Sequence, residues 1–351
     1  FDTYRNKRVM ITGHTGFKGS WLTLWLNMLG AKVLGYSISL PTNPSMFKTL
    51  SLHKKIIHIN GDVRNYEKLN NVVKKFKPHV IFHLAAQPLV IKSYKDPQET
   101  FSTNVLGTLN ILEVIRKNSF VIAGVIITSD KCYQNKEFKR GYKENDQLAG
   151  IDPYSASKSS AEIISHSYFN SFFSLRNVAT ARAGNVIGGG DWSPDRIVPD
   201  YFRAVIKKKK LIIRNPKSTR PWQHVFEAIF GYLTLAIRLK KDLRFHGEAF
   251  NFGPSNKDNK SVLNVVTEMK KSWKAVSWKI KKFEKIEYES KLLKLNSNKA
   301  KLKLKWKNCL NFRQSIKMTT DWYKNFYEKK ENNYFFSINQ ILNFEKKMRS
   351  K

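Results

Sequence analysis

Short runs rich in Val and Ile alternate with stretches of helical periodicity from the start of the chain. The runs Arg8 to Thr12, Lys32 to Tyr36, Ile56 to Asn60, Val80 to Leu84, Gly124 to Thr128 and Val178 to Arg182 predict six strands separated by helices. That alternation predicts an α/β fold, a Rossmann-type doubly wound parallel sheet. Its crossovers are right-handed, so the loops that follow the strands share one edge, where ligands bind. Two long helices are expected, Pro97 to Lys117 and Tyr154 to Phe173. After about residue 185 the pattern loosens into Gly- and Pro-marked loops. Helices near Ile197 to Lys207 and Val225 to Leu239 and short strands at Lys210 to Ile213 and Glu248 to Phe252 read as a smaller mixed α/β lobe. The expected organisation is a sheet domain over residues 1–184, a second lobe over 185–325 and a Lys- and Asn-rich helix or loosely packed tail over 326–351.

At 351 residues the chain can bury a large core. Its two cysteines, Cys132 and Cys309, lie far apart with no metal spacing, so neither a disulfide nor a metal site is expected. With no signal segment before the first strand, a reducing cytoplasm is the expected setting. The most apolar stretch, Trp21 to Leu29, is interrupted by Thr23 and Asn27 and is far short of a membrane span. The formal charge of +36 raises the question of nucleic acid. The excess lysines are scattered among Asn and Ile with no nucleic-acid motif beside them, so the expected effect is attraction of small anions.

Gly13-His14-Thr15-Gly16-Phe17-Lys18-Gly19 follows the first strand and opens the first helix. Gly13 permits a tight turn, Gly16 lets backbone approach a pyrophosphate, and Gly19 lets helix and strand pack closely. With His83-Leu84-Ala85-Ala86 ending the fourth strand, this predicts a dinucleotide site. Asp62-Val63 after the third strand either meets the adenine amino group or caps the helix from Asn65. The second strand ends in Tyr36-Ser37-Ile38-Ser39, with no acid for an adenosine ribose, so the choice of NAD or NADP stays open. Lys18 either approaches a 2′-phosphate or is solvated.

Two strings carry the candidate chemistry, Ser129-Asp130-Lys131 and Tyr154-Ser155-Ala156-Ser157-Lys158. Tyr154 and Lys158 stand four apart on one helix face, where an ammonium can lower the phenol pKa and make a general base for an alcohol proton. Asp130 and Lys131 add a second titratable pair, which a simple alcohol dehydrogenase does not need and an elimination does.

The glycine loop, the Tyr-x-x-x-Lys pair and the His-Leu-Ala-Ala string resemble the extended short-chain dehydrogenase/reductase superfamily. Gly13 to Trp21, Thr128 to Tyr133 and Arg182 to Trp192 narrow the resemblance to its CDP-glucose 4,6-dehydratases, over about residues 5–325. Related nucleotide-sugar dehydratases carry Asp-Glu where this chain has Asp130-Lys131. The resemblance implies bound NAD, a CDP-glucose substrate, a hydro-lyase reaction and a homodimer. It implies Tyr154 as base at the sugar 4-hydroxyl with Ser129 hydrogen-bonding that oxygen, Lys158 supporting the tyrosine and Asp130 protonating the departing C6 hydroxyl. Lys131 either removes the C5 proton or stays charged and steadies the enolate.

On the substrate side the expected residues are Gln87, Arg182, Asn185, Arg196, Arg220 and Asn251. Arg220 resembles the arginine that grips the diphosphate in relatives, and Arg182 and Asn185 have loop capping as their other reading. Trp192 and Trp222 either flank sugar or base or pack in the core. His14, His83 and His224 read as hydrogen-bonded scaffold, and Asn104 and Thr108 as anchors of backbone near the site. Two other functions remain on this scaffold. A nucleotide-sugar 4-epimerase has no use for Asp130-Lys131, and a non-catalytic dinucleotide-binding protein could dispense with Tyr154.

Overall fold

Seven strands form one all-parallel sheet in a computed structural model that describes residues 2–173, 177–255, 259–273, 276–280 and 292–350. They are β1 (Arg8–Thr12), β2 (Lys32–Ser37), β3 (Ile57–Asn60), β4 (Val80–His83), β5 (Ala123–Ile127), β6 (Asn177–Ala183) and β7 (Ala249–Phe252). Their order is β7-β6-β5-β4-β1-β2-β3, with every neighbour parallel. The central strands are covered on both faces, which is why β1, β4 and β5 are mostly apolar: Val9 and Ile11 enter one core and Met10 the other, while β3 at the edge is largely exposed.

The main helices are α1 (Phe17–Met28), α2 (Tyr66–Phe76), α3 (Gly107–Lys117), α4 (Pro153–Phe172), α5 (Ile197–Ile206), α6 (Val225–Lys241), α7 (Phe312–Glu328) and α8 (Asn333–Arg349). α1 and α6 cover one face around Trp21, Trp25 and Phe226, while α2, α3 and α4 cover the other around Leu69, Ile111 and Phe169. Asp152 starts α4, its carboxylate accepting from the Ser155 N–H and hydroxyl, and Pro153 takes the first helical position. That cap puts Tyr154 in the first turn, at the ligand edge of the sheet.

The expected helix from Pro97 to Lys117 is continuous in space but widens to a π-turn at Ser102–Leu106, which carries Asn104. One strand read with the second lobe belongs to the sheet: β7 pairs with β6, Asn251 opposite Arg182. The second lobe keeps short pairings, among them Thr219–Pro221 antiparallel to Asn259–Ser261 and Gln223–His224 parallel to Val186–Ile187.

Beyond Asn325, where a helix or a loosely packed tail is expected, the chain is helical and α7 and α8 pack as a hairpin. Ile341 and Phe344 of α8 are fully buried, and Phe344 meets Trp25 and Phe226 edge to face. The Trp25 indole donates to Glu345 and the Trp322 indole to Ser337, so tertiary packing overrides the polar composition. Among the described residues no helix is long and apolar enough to cross a membrane, no group of His, Cys, Asp and Glu could hold a metal, and both cysteines are free and buried.

Candidate active site

Loops after β1, β4, β5 and β6 meet above the sheet edge. Gly13 has φ +72°, and a Cβ there would stand 2.7 Å from the Ala85 nitrogen, so the β1 and β4 loops touch only because the side chain is missing. A Cβ on Gly16 would meet nothing nearer than the Gly13 oxygen at 3.3 Å, which leaves that backbone open for a phosphate at the start of α1. Thr15 is buried, its hydroxyl donating to the Ser39 carbonyl, while Phe17, Lys18, Leu84, Ala85 and Ala86 are half-buried around the loop. The cradle fits a dinucleotide pyrophosphate.

The scaffold under this loop is made of neutral polar groups. The His83 ring lies 2.7 Å from the Thr12 hydroxyl and 3.2 Å from that of Thr108, which itself donates to the Asn104 carbonyl. His14 bridges Ser37 and His58, and His224 accepts from the Phe226 N–H. Burial lowers all three histidines to about 3, so each is an uncharged hydrogen-bonding group. Asn104 accepts from the Gln87 N–H and donates to the Gln87 carbonyl and to Ser157.

Asp62 neither caps a helix nor stands alone. Asn65 caps α2, and the Asp62 carboxylate takes the Arg64 N–H and guanidinium, which hold it below the usual carboxylate range despite some burial. Val63 is buried against Gly107.

The candidate catalytic residues sit at the end of β5 and the start of α4. The Ser129 hydroxyl donates to Asp130 Oδ1 at 3.1 Å and accepts from the Lys131 N–H, holding the acid in a single 3-10 turn. Asp130 is 5% exposed, and burial raises its carboxyl pKa, against the opposing charge of Lys131, the Ser129 hydrogen bond and the charges of Lys18 and Arg220. A Cβ on Gly184, just after β6, would stand 2.7 Å from Asp130 Oδ2. That glycine admits the acid, a role whose sequence signal was a glycine placed directly after a buried strand.

Tyr154 departs from the expected low phenol pKa. Burial pushes it up to about 12, hydrogen bonding with Ser129 opposes this, and the Asp130 charge adds to the rise. The Lys158 ammonium donates to the Ile127 carbonyl at 3.4 Å. Burial and the nearby Lys18 lower Lys158 to about 8, with Glu162 acting the other way. Lys18 is itself lowered to about 8 by burial and Arg196, so it lies on the reactive side of the glycine loop, in the fields of Asp130 and Lys158.

Three expected substrate residues do not face the cleft. Arg182, 3% exposed, gives its terminal nitrogens to Glu162, the Tyr133 hydroxyl and the Glu144 carbonyl. Asn251 is fully buried, accepting from Tyr133 and donating to the Tyr142 and Asn296 carbonyls. The Gln87 amide is spent within its own loop on Leu89 and Thr100. Each is scaffold, because its polar reach ends on protein partners. Arg220, on the short Thr219–Pro221 strand, and Arg196, paired to Asp191 at 3.0 Å, do act on the site, through Asp130 and Tyr154 respectively. Asn185 is exposed at the end of β6. Trp192 packs with Trp322 and Phe326, and the Trp222 indole donates to the Lys260 carbonyl.

A glycine loop between a first strand and first helix, with a Ser-Tyr-Lys set over the same sheet edge, defines an extended short-chain dehydrogenase/reductase. Residues 10–319 match the GDP-mannose 4,6 dehydratase family, and the chain belongs to that family. It is 45% identical over 329 residues to the CDP-glucose 4,6-dehydratase of Salmonella typhimurium, covering 92% of this chain and 91% of that one. In fold it is similar to an epimerase of Methanothermobacter thermautotrophicus, with TM-score 0.79, 23% identity and coverage of 93% and 95%. It is also similar to the dTDP-glucose 4,6-dehydratase of Bacillus anthracis solved with NAD, with TM-score 0.74, 23% identity and coverage of 92% and 98%.

Proposed function

We propose that the chain catalyses an internal-redox dehydration of CDP-D-glucose to CDP-4-dehydro-6-deoxy-D-glucose with NAD as its returning cofactor. The observation that carries this reading is Asp130, a buried carboxyl held above its ordinary pKa beside Ser129 and Tyr154. The 45% identity to the Salmonella typhimurium enzyme supports CDP-glucose as substrate. The Gly13–Gly19 loop and Leu84–Ala86 would hold the dinucleotide, with Asp62 toward the adenine and Arg196 and Arg220 toward the substrate diphosphate.

Bound in the glycine loop, NAD would supply the hydride acceptor for the hexose C4 and the donor for C6, and its positive nicotinamide ring would favour the ionised form of Tyr154. Tyr154 accepts the 4-hydroxyl proton while Ser129 hydrogen-bonds that oxygen, and a 4-ketone results. The ketone acidifies the C5 hydrogen; Lys131 accepts that proton in its neutral form, or as the ammonium steadies the enolate while water accepts it. Asp130, whose burial favours the protonated form, gives its proton to the C6 hydroxyl, which leaves as water. Proton return to C5 completes a cycle with no net oxidation.

The assembly we propose is a cytoplasmic homodimer through the α3–α4 side, where Phe101, Leu106, Ile163 and Phe172 are exposed, and its product feeds deoxyhexoses of surface polysaccharide. Incubation with CDP-, dTDP-, GDP- and UDP-glucose followed by mass spectrometry tests the reaction. Loss of water from CDP-glucose is expected. Unchanged mass with inversion at C4, or no reaction, overturns it.

A further inference from the structure

We propose that Glu162 is a positioning residue that supplies the counter-charge to Lys158 and ties the acid-bearing loop to the tyrosine helix, a role that rests on the reaction proposed above. Lys158 and Glu162 stand one turn apart on α4, 6% and 4% exposed. The Lys158 ammonium donates to the Ile127 carbonyl, and the Glu162 carboxylate accepts from the hydroxyl of the next residue, Thr128. Both charges therefore straddle the end of β5, immediately before Ser129 and Asp130.

The carboxylate also accepts from Thr180 and from Arg182, both at 2.8 Å on β6. Arg182 passes the contact to Tyr133 at 2.7 Å, and the Ser159 hydroxyl of α4 donates to the Cys132 carbonyl at 2.8 Å. Residues 127–133 are thus held to α4 on both sides of the acid. A change of a few tenths of an ångström in that clamp would move Asp130 relative to Tyr154.

A buried ion pair is weak as a source of stability, because desolvation offsets most of the attraction. Its charge matters more to Lys158. Lys18 reaches that ammonium from α1 and repels it, His83 faces it from β4 in the neutral state, and the Cys132 thiol lies toward it from the loop. Glu162, on its own helix, is the carboxylate that favours the charged amine. Arg182 completes the surroundings from β6, spent on that carboxylate.

The test is an NMR titration of Lys158 in protein labelled at lysine Cε, compared with Glu162→Gln. The glutamine oxygen can take the Thr180 and Arg182 donors in place of Oε2, and its amide nitrogen can donate to the Thr128 hydroxyl in place of Oε1, so the variant removes charge more than contacts. The midpoint near 8 in the parent is expected to fall by about one pH unit. The alkaline limb of kcat for 4-oxidation is expected to move down with it. Thr128→Val removes one hydroxyl bond and no charge, and leaves the midpoint in place. A folded Glu162→Gln protein with the parental midpoint overturns the proposal. Should the single variant not fold, Glu162→Gln with Arg182→Met removes the orphaned guanidinium and carries the same readout. The titration is independent of turnover, so a parent that fails to dehydrate CDP-glucose refutes the proposed function alone.

Discussion

Replacing Gly184 by alanine should separate the two halves of the reaction. The backbone of Gly184 does not have positive φ, so alanine is tolerated conformationally. Its methyl carbon would lie 2.7 Å from Asp130 Oδ2, where ordinary contact begins at 3.4 Å, a shortfall of 3.4 − 2.7, or about 0.7 Å. Asp130 has a short side chain in a buried turn, so the carboxyl itself must yield. A misplacement of that order costs roughly tenfold to a hundredfold in a positioned proton transfer, about 1.4–2.7 kcal/mol of barrier. Tyr154 does not touch the new methyl, so removal of hydride from C4 should keep close to its parental rate. Rapid quench and mass spectrometry would read the 4-ketose, which has lost two hydrogens, against the dehydrated product. The 4-ketose is expected to accumulate in the variant. Equal slowing of both phases, or of neither, would refute the placement of the acid against Gly184.

Phe344→Ala empties a fully buried site between Trp25 and Phe226. It should lower stability by about 3–5 kcal/mol in urea unfolding, whereas a loss under about 1 kcal/mol would mean that α8 is not integral to the core. Stability should also fall with acid. His14, His83 and His224 are lowered to about 3 in the folded chain, chiefly by burial, while the unfolded chain protonates near the ordinary imidazole value of about 6.5. Between those values the unfolded state holds more protons, so each histidine removes about 1.4 kcal/mol per pH unit as pH drops. Denaturation series at pH 5.5 and 4.5 check this, and His224→Gln should flatten the slope by one histidine's share. An unaltered slope in that variant would show that His224 is already charged in the fold.

How much could be read beforehand follows from what each signal depends on. Strands β1 to β6 were legible to within about a residue at each end, since central strands such as β1, β4 and β5, buried on both faces, leave apolar runs whatever their partners are, and the exposed edge strand β3 still alternates Ile57 and Ile59 with polar residues. β7, Ala-Phe-Asn-Phe, carries no mark of joining β6 rather than the second lobe, because pairing across about seventy residues is not a local property. α8 hides its core contacts among Lys and Asn, and only the spacing of Ile341 and Phe344 hints at a buried face. At the site, the four-residue spacing of Tyr154 and Lys158 was enough to put both on α4. Arg182 and Asn251 misled for the opposite reason: a polar residue at a strand end looks the same whether it meets solvent, substrate or a buried carboxylate. For Arg182 the deciding partner is Glu162, four residues past Lys158, and for Asn251 it is the Tyr133 hydroxyl together with the Tyr142 carbonyl. The Tyr154 pKa was unreadable, since it is the sum of burial, Ser129 and Asp130 rather than of the helix spacing.

The most direct measurement is a single turnover of Asp130→Asn with CDP-glucose, followed by cofactor absorbance and product mass. The amide can keep the Ser129 contact but has no proton to give, so hydride should still leave C4 while water loss falls by about a hundredfold or more. Dehydrated product at the parental rate would contradict the assignment of Asp130 as the acid.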